Sequence, residues 1–114
     1  MVINSKLRAA LDHIAPVRSG EFSLDKGETK ETYIVINYDS FPDDFGDDEA
    51  EHEVFSIQVH LFCPAGLNSL SMRHKIKNAI YRAGFSWPRC VDASDRDGQH
   101  YVFECQLALA IGEE

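Results

Sequence analysis

Hydrophobic positions along the chain fall into two rhythms. Ile3, Leu7, Ala10, Leu11 and Ile14 recur at spacings of 4, 3, 1 and 3, one face of an α-helix that Pro16 closes off. Met72, Ile76, Ala79, Ile80 and Ala83 repeat the same spacings and predict a second helix. Asn68 or Ser69 is placed to cap it by accepting an early backbone N–H. Gly84 suits the left-handed position after its end, and Phe85 can then pack back on Ile80, as in a Schellman motif.

The second rhythm has period two. In "HEVFSIQVHLFC", Phe55, Ile57, Val59, Leu61 and Cys63 share one face, while Ser56, Gln58 and His60 share the other. In "QHYVFECQLALAI", Tyr101, Phe103, Cys105, Leu107 and Leu109 alternate with His100, Glu104 and Gln106. "ETYIVINYDSF" is dense in β-branched and aromatic residues and reads as a strand. "SWPRCVDAS" reads as a strand at a sheet edge or one that begins after Pro88, whose nitrogen has no hydrogen to donate. "DRDG" before the last strand predicts a hairpin turn with Gly98 at positive φ. "RSGEFSLDKGETK", with two glycines and no period, reads as a loop.

The order is α-β-β-α-β-β, a single α+β domain over residues 1–114. Its expected form is a four-stranded, mainly antiparallel sheet with two helices packed on one face. Ser56, Gln58, His60, Glu104 and Gln106 would then line a mildly polar opposite face.

One stretch fits neither rhythm. "DSFPDDFGDDEAEHE", residues 39–53, holds eight Asp or Glu and no Lys or Arg. Pro42 and Gly46 predict a break in any strand ladder, so the expectation is a solvated acidic loop between the first two strands. The spacing excludes an EF-hand: from Asp39, the third position is Phe41 and the sixth is Asp44 where a glycine belongs.

A net charge of −8 and a pI near 5.0 argue against a phosphate-binding surface, so no sequence-specific nucleic-acid binding is expected. Arg73, Lys75, Lys77 and Arg82 could form a local basic stripe on the second helix; their plainer reading is a solvated face. No segment approaches the roughly 20 apolar residues that span a bilayer, and the N-terminus lacks a signal-peptide core, so neither membrane insertion nor secretion is expected. Cys63, Cys90 and Cys105 lack CxxC spacing and read as reduced, mostly buried thiols.

Candidate chemistry is sparse. His60 and Cys63 have HxxC spacing, but an odd separation on a strand sends them to opposite faces. His52, His74 and His100 add no further zinc pattern, so no metal or other cofactor is expected. Cys90 and His100, with Asp92 as orienter, are the candidate nucleophilic pair across the last hairpin, without a glycine-rich elbow or oxyanion turn. No P-loop or dinucleotide fingerprint is present, and a non-enzymatic role is the favoured reading.

Three stretches carry a resemblance. "TYIVINYDSFPDDFGDDEAEHEVFSIQVHLFCP", then "NSLSMRHKIKNAIYRAGF", then "DGQHYVFECQL" resemble the tail terminator, or tail-completion (minor tail), proteins of long-tailed bacteriophages and prophages, over roughly residues 30–108. The likeness lies in order and spacing, without a catalytic signature.

The resemblance implies an α+β protomer that assembles with itself into a ring, commonly a hexamer. That ring caps the tail tube at its head-proximal end, stops its polymerisation and offers a surface to the head-tail connector protein. The implied partners are other copies of the chain, the tail tube protein and the connector; the implied location is the virion tail, after synthesis in the bacterial cytoplasm. Asp43, Asp44, Phe45, Asp47, Asp48, Glu49, Phe62 and Trp87 are the candidate interaction residues, with Phe41 a further exposed aromatic. Another neck or connector adaptor of the virion is the alternative, and a small metal-binding or Cys/His-dependent cytoplasmic enzyme the remaining one.

Overall fold

A computed structural model describes residues 2–18, 29–46 and 49–110. The elements in chain order are α1 (Val2–Leu11), β1 (Val17–Arg18), β2 (Tyr33–Gly46), β3 (Glu49–Cys63), α2 (Leu70–Arg82), β4 (Arg89–Asp92) and β5 (Gln99–Ala110). The protein is α+β, with two helices and one mixed sheet of five strands in the order β1-β2-β3-β5-β4. The expected four-stranded sheet is thus corrected by one strand. β1 is only two residues long and pairs parallel to β2, Val17 with Ile34 and Arg18 with Val35. Two residues carry no periodicity, so this strand exists only through its partner: the Ile34 N–H donates to the Pro16 carbonyl at 2.8 Å.

The helix-side core follows from the two rhythms. Ile3, Leu7 and Leu11 of α1, and Ile76 and Ile80 of α2, are fully buried. They join one cluster with Ile34, Phe55, Ile57, Val59, Leu61, Cys63, Tyr101, Phe103 and Cys105. Burying each large apolar side chain stabilises the fold by roughly 1.5–3 kcal/mol, and this face carries most of that gain. Helix α1 ends earlier than the expected stripe, at Leu11, but a turn in which Ile14 N–H bonds the Leu11 carbonyl keeps Ile14 against the core.

Helix α2 begins with Asn68 rather than Ser69 in the capping role, its Oδ1 accepting from the Leu70 N–H at 3.2 Å. The Ser69 hydroxyl is used elsewhere, donating to Gln99 Oε1 at 2.6 Å. The C-terminus is a Schellman motif as expected: Phe85 N–H bonds the Ile80 carbonyl, Gly84 N–H bonds the Tyr81 carbonyl, and Gly84 sits at φ 103°. Phe85 is buried beside Ile80 in the core cluster.

Gly98 corrects its expectation. Among the described residues Gly84 is the glycine at positive φ, and Gly98 serves a different need. A Cβ there would lie 2.7 Å from Thr29 Oγ1 and 3.0 Å from the Cys63 carbonyl oxygen. Thr29 is held in place by its N–H bond to the Asp97 carbonyl at 2.7 Å. Glycine is required because another stretch of chain crosses here.

The sheet tapers. Two rows are five strands wide, Val17–Ile34–Leu61–Tyr101–Asp92 and Arg18–Val35–His60–Val102–Val91. Four strands meet at Asn37–Gln58–Glu104–Arg89, and three remain from Tyr38–Ile57–Cys105 outward. Past His52, which pairs with Asp43 and Ala110, only β2 and β3 continue among the described residues, down to Gly46 opposite Glu49. The molecule is accordingly long, 54 × 27 × 21 Å. Its radius of gyration of 15.4 Å exceeds the roughly 13 Å of a compact chain of about 100 residues.

The acidic segment is therefore strand where a loop is expected. Residues 39–46 and 49–53 extend the β2–β3 ladder without a change of register, while Asp47 and Asp48 lie outside the described residues. Pro42 is paired opposite Glu53. Beyond Val35 no described strand lies on the outer side of β2, and an edge strand admits proline because its outer side needs no donor.

Candidate functional site

The predicted interaction residues divide by their place in the taper. Asp43, Asp44 and Phe45 close β2 and Glu49 opens β3, so they cluster at the narrow end; Asp47 and Asp48, outside the described residues, fall between them in sequence. Phe62 belongs to the opposite end of β3, thirteen residues from Glu49, or about 43 Å at 3.3 Å per strand residue. Trp87 lies between α2 and β4, 55% exposed, with its ring edge-on to Tyr81 at 5.6 Å. Hydrogen bonds between Ser86 and Gln106, in both directions, fasten that segment to β5. One acidic site and two separate aromatic positions result.

Phe62 takes part in a row of stacked rings on the face opposite the helices. Register places Tyr33, Phe62 and His100 side by side across three strands. Their rings stack at 4.8 Å for Tyr33–Phe62 and 4.3 Å for Phe62–His100, and Arg18 lies 4.2 Å over the Tyr33 ring. Next to this row, His60 Nδ1 meets His100 Nε2 at 2.8 Å, one ring donating and the other accepting. His60 is 5% exposed because it sits on the central strand of a five-wide row. Burial, and secondarily the neighbouring His100, lower its pKa from the ordinary 6.5 to about 4. Burial also lowers that of His100, opposed by Asp95 and Asp92. His60 is therefore neutral at pH 7. The expected polar face thus has an aromatic and imidazole strip at its wide end, with Gln58 alongside at 3.3 Å from His60 Nε2.

The Cys90–His100 pair does not form. Cys90 pairs with Phe103 and packs with the helix-side core, whereas His100 pairs with Phe62 on the other face of the sheet. Burial raises the Cys90 thiol pKa, the reverse of what a nucleophile needs. Asp92 accepts from the Ser94 N–H at 2.9 Å and is engaged in a turn. Cys63 and Cys105 are buried in the core, and burial lifts Cys105 to about 11. Among the described residues no group of three His, Cys, Asp or Glu side chains converges.

A feature the periodicities pass over lies between the helices. A groove of about 620 Å³ runs along α1 and α2, with Ala9, Ala10, Ile14, Ala79 and Ala83 as its apolar lining. Lys6 from α1, His13 from the turn after it, and Lys75 and Arg82 from α2 also line it, with Asn78 and without any acid. Lys75 and Arg82 are seven residues apart, two helical turns, which puts them on one face of α2. The expected basic stripe is thereby split. Lys75 and Arg82 face the groove, while Arg73 stacks 4.4 Å over the Tyr101 ring and donates to Ser69 Oγ at 3.2 Å.

The chain matches no protein family and no curated protein. No helix among the described residues is long and apolar enough to cross a membrane.

Proposed function

We propose that the protein is a non-enzymatic assembly component of a long-tailed phage or prophage virion, a tail terminator whose ring caps the tail tube and presents the head-joining surface. The observation that carries this reading is the narrow end of the sheet, where a paired acidic ribbon extends the ladder beyond the rows packed under the helices. A charged segment that a fold's core does not need is available for contact. Ladder pairing gives it a defined direction, which a loop would lack. In a ring, ribbons facing the channel would repel passing DNA phosphates, and ribbons facing the tube would meet its last layer. The resemblance over residues 30–108 supports the same role.

Deleting the gene and examining lysates by electron microscopy tests this. Overlong tails without heads are the expected outcome. Normal virions of normal tail length would refute termination.

A further inference from the structure

The groove between the helices and the ribbon at the narrow end are opposite in charge and both apart from the core. We propose that the acidic β2–β3 ribbon of one copy of this chain docks in the basic α1–α2 groove of a second copy.

Complementarity is the first support. The groove is lined by Lys6, His13, Lys75 and Arg82 with no acid among its lining residues, on a chain whose net charge is −8. It is a basic island on an acidic molecule, so an anionic partner is drawn to it and steered there. The densest anionic element available is on the same chain: Asp39 to Glu53 carries eight acids and no Lys or Arg. Shape is the second support. Four alanines, Ala9, Ala10, Ala79 and Ala83, line the open groove, and such small side chains allow close approach of a backbone.

Geometry then selects a second copy over the same one. The ribbon continues the sheet through an unbroken register, so it stays in the sheet layer. The groove lies between α1 and α2, in the helix layer that packs on one face of that sheet. The ribbon cannot turn back onto its own groove without breaking the pairs from Tyr38↔Ile57 outward. Such a contact joins two different patches and is heterologous, so it propagates head to tail into a ring or a filament. It stands on charge and shape without the tail-terminator reading, and tests on purified protein leave that reading untouched.

The test uses the full chain and two variants. Lys75→Glu with Arg82→Glu reverses the charge of the groove; Asp43→Lys with Asp44→Lys halves the net negative charge of the ribbon. Native mass spectrometry and light scattering at about 0.05 M salt should show oligomers of the wild type that dissociate at 1 M salt. Each variant alone should associate about tenfold or more weakly per reversed charge. Mixed, the two variants offer one intact groove to one intact ribbon, and at the altered pair new lysines face new glutamates, so the mixture should associate, to a dimer or beyond, where neither variant does alone. Circular dichroism checks folding, and Lys75→Gln with Arg82→Gln replaces any reversal that unfolds. A wild type that stays monomeric to about 1 mM at low salt overturns the proposal, as do variants that assemble like wild type. A mixture that associates no better than either variant alone overturns it too.

Discussion

The two ends of the β2–β3 ladder are built from the same backbone pairing and differ in everything else. At the wide end, rows five strands across lie under two helices, and the helix-side positions are Ile34, Leu61 and Tyr101, all buried. Past the row Asp43–His52–Ala110 the ladder is two strands across, and the residues around that end include Asp43, Asp44, Glu49 and Glu51. The difference teaches that strand pairing does not require a core at every position. Once the register is fixed where side chains are buried, the pairing runs on into a segment whose composition is free to serve another purpose. An isolated two-stranded hairpin is marginal in water, so the ribbon depends on the wide end for its order.

The largest effect should come from breaking the wide end. Phe103 is fully buried in the four-strand row Ile36–Val59–Phe103–Cys90. Phe103→Ala should cost roughly 3–5 kcal/mol, read from urea denaturation midpoints at unchanged m-value. If the cost is below about 1 kcal/mol, the wide end is not the part that holds the molecule together.

Much of that end is legible from residue patterns, because burial there imposes period two on strands and 3.6 on helices. Ile3, Leu7, Ile76, Ile80 and the odd positions from Phe55 to Cys63 are read correctly for that reason. The Schellman turn at Gly84 and the start of β4 after Pro88 follow from local chemistry. The narrow end is misread for the complementary reason. With no helix above it there is no alternation to detect, and its pairing is inherited from residues about ten positions away, as Asp43 to His52 inherits from Tyr33 to Phe62. The groove is half legible. Lys75 and Arg82 are visible as a helix face, but Lys6 and His13 join them only through packing of helices more than 60 residues apart. Gly98 and the separation of Cys90 from His100 likewise depend on which chain segment lies alongside.

Acid should act on the wide end through His60. Its folded pKa of about 4 lies below the ordinary 6.5, so between these values the unfolded chain binds more protons than the folded one. Stability is then full above about pH 6.5 and falls as pH drops toward 4. With screening allowed for, the loss from pH 6.5 to 5 should be on the order of 1 kcal/mol. Thermal melts of wild type and His60→Gln over that window check it: the variant should show a clearly flatter profile. An equal slope in both would mean that the imidazole pair does not contribute this linkage.

The smallest expected effect sharpens the contrast most. Asp43, Asp44, Glu49 and Glu51 are four acids at this end of the chain's β2–β3 pairing, with no Lys or Arg among residues 39–53. Concentrated like charge on paired strands is destabilising. Asp43→Asn, Asp44→Asn, Glu49→Gln and Glu51→Gln together should therefore raise stability by a few tenths of a kcal/mol, an advantage that shrinks as salt screens the wild type. Denaturant titrations at about 0.05 M and 0.5 M salt resolve the sign. A loss of several kcal/mol would mean that the acids hold the fold, and the division between a core end and a contact end would fail. A neutral or stabilising result, with tail joining lost in the same variant, would mean that the charges are kept at a small cost to stability for the surface they meet.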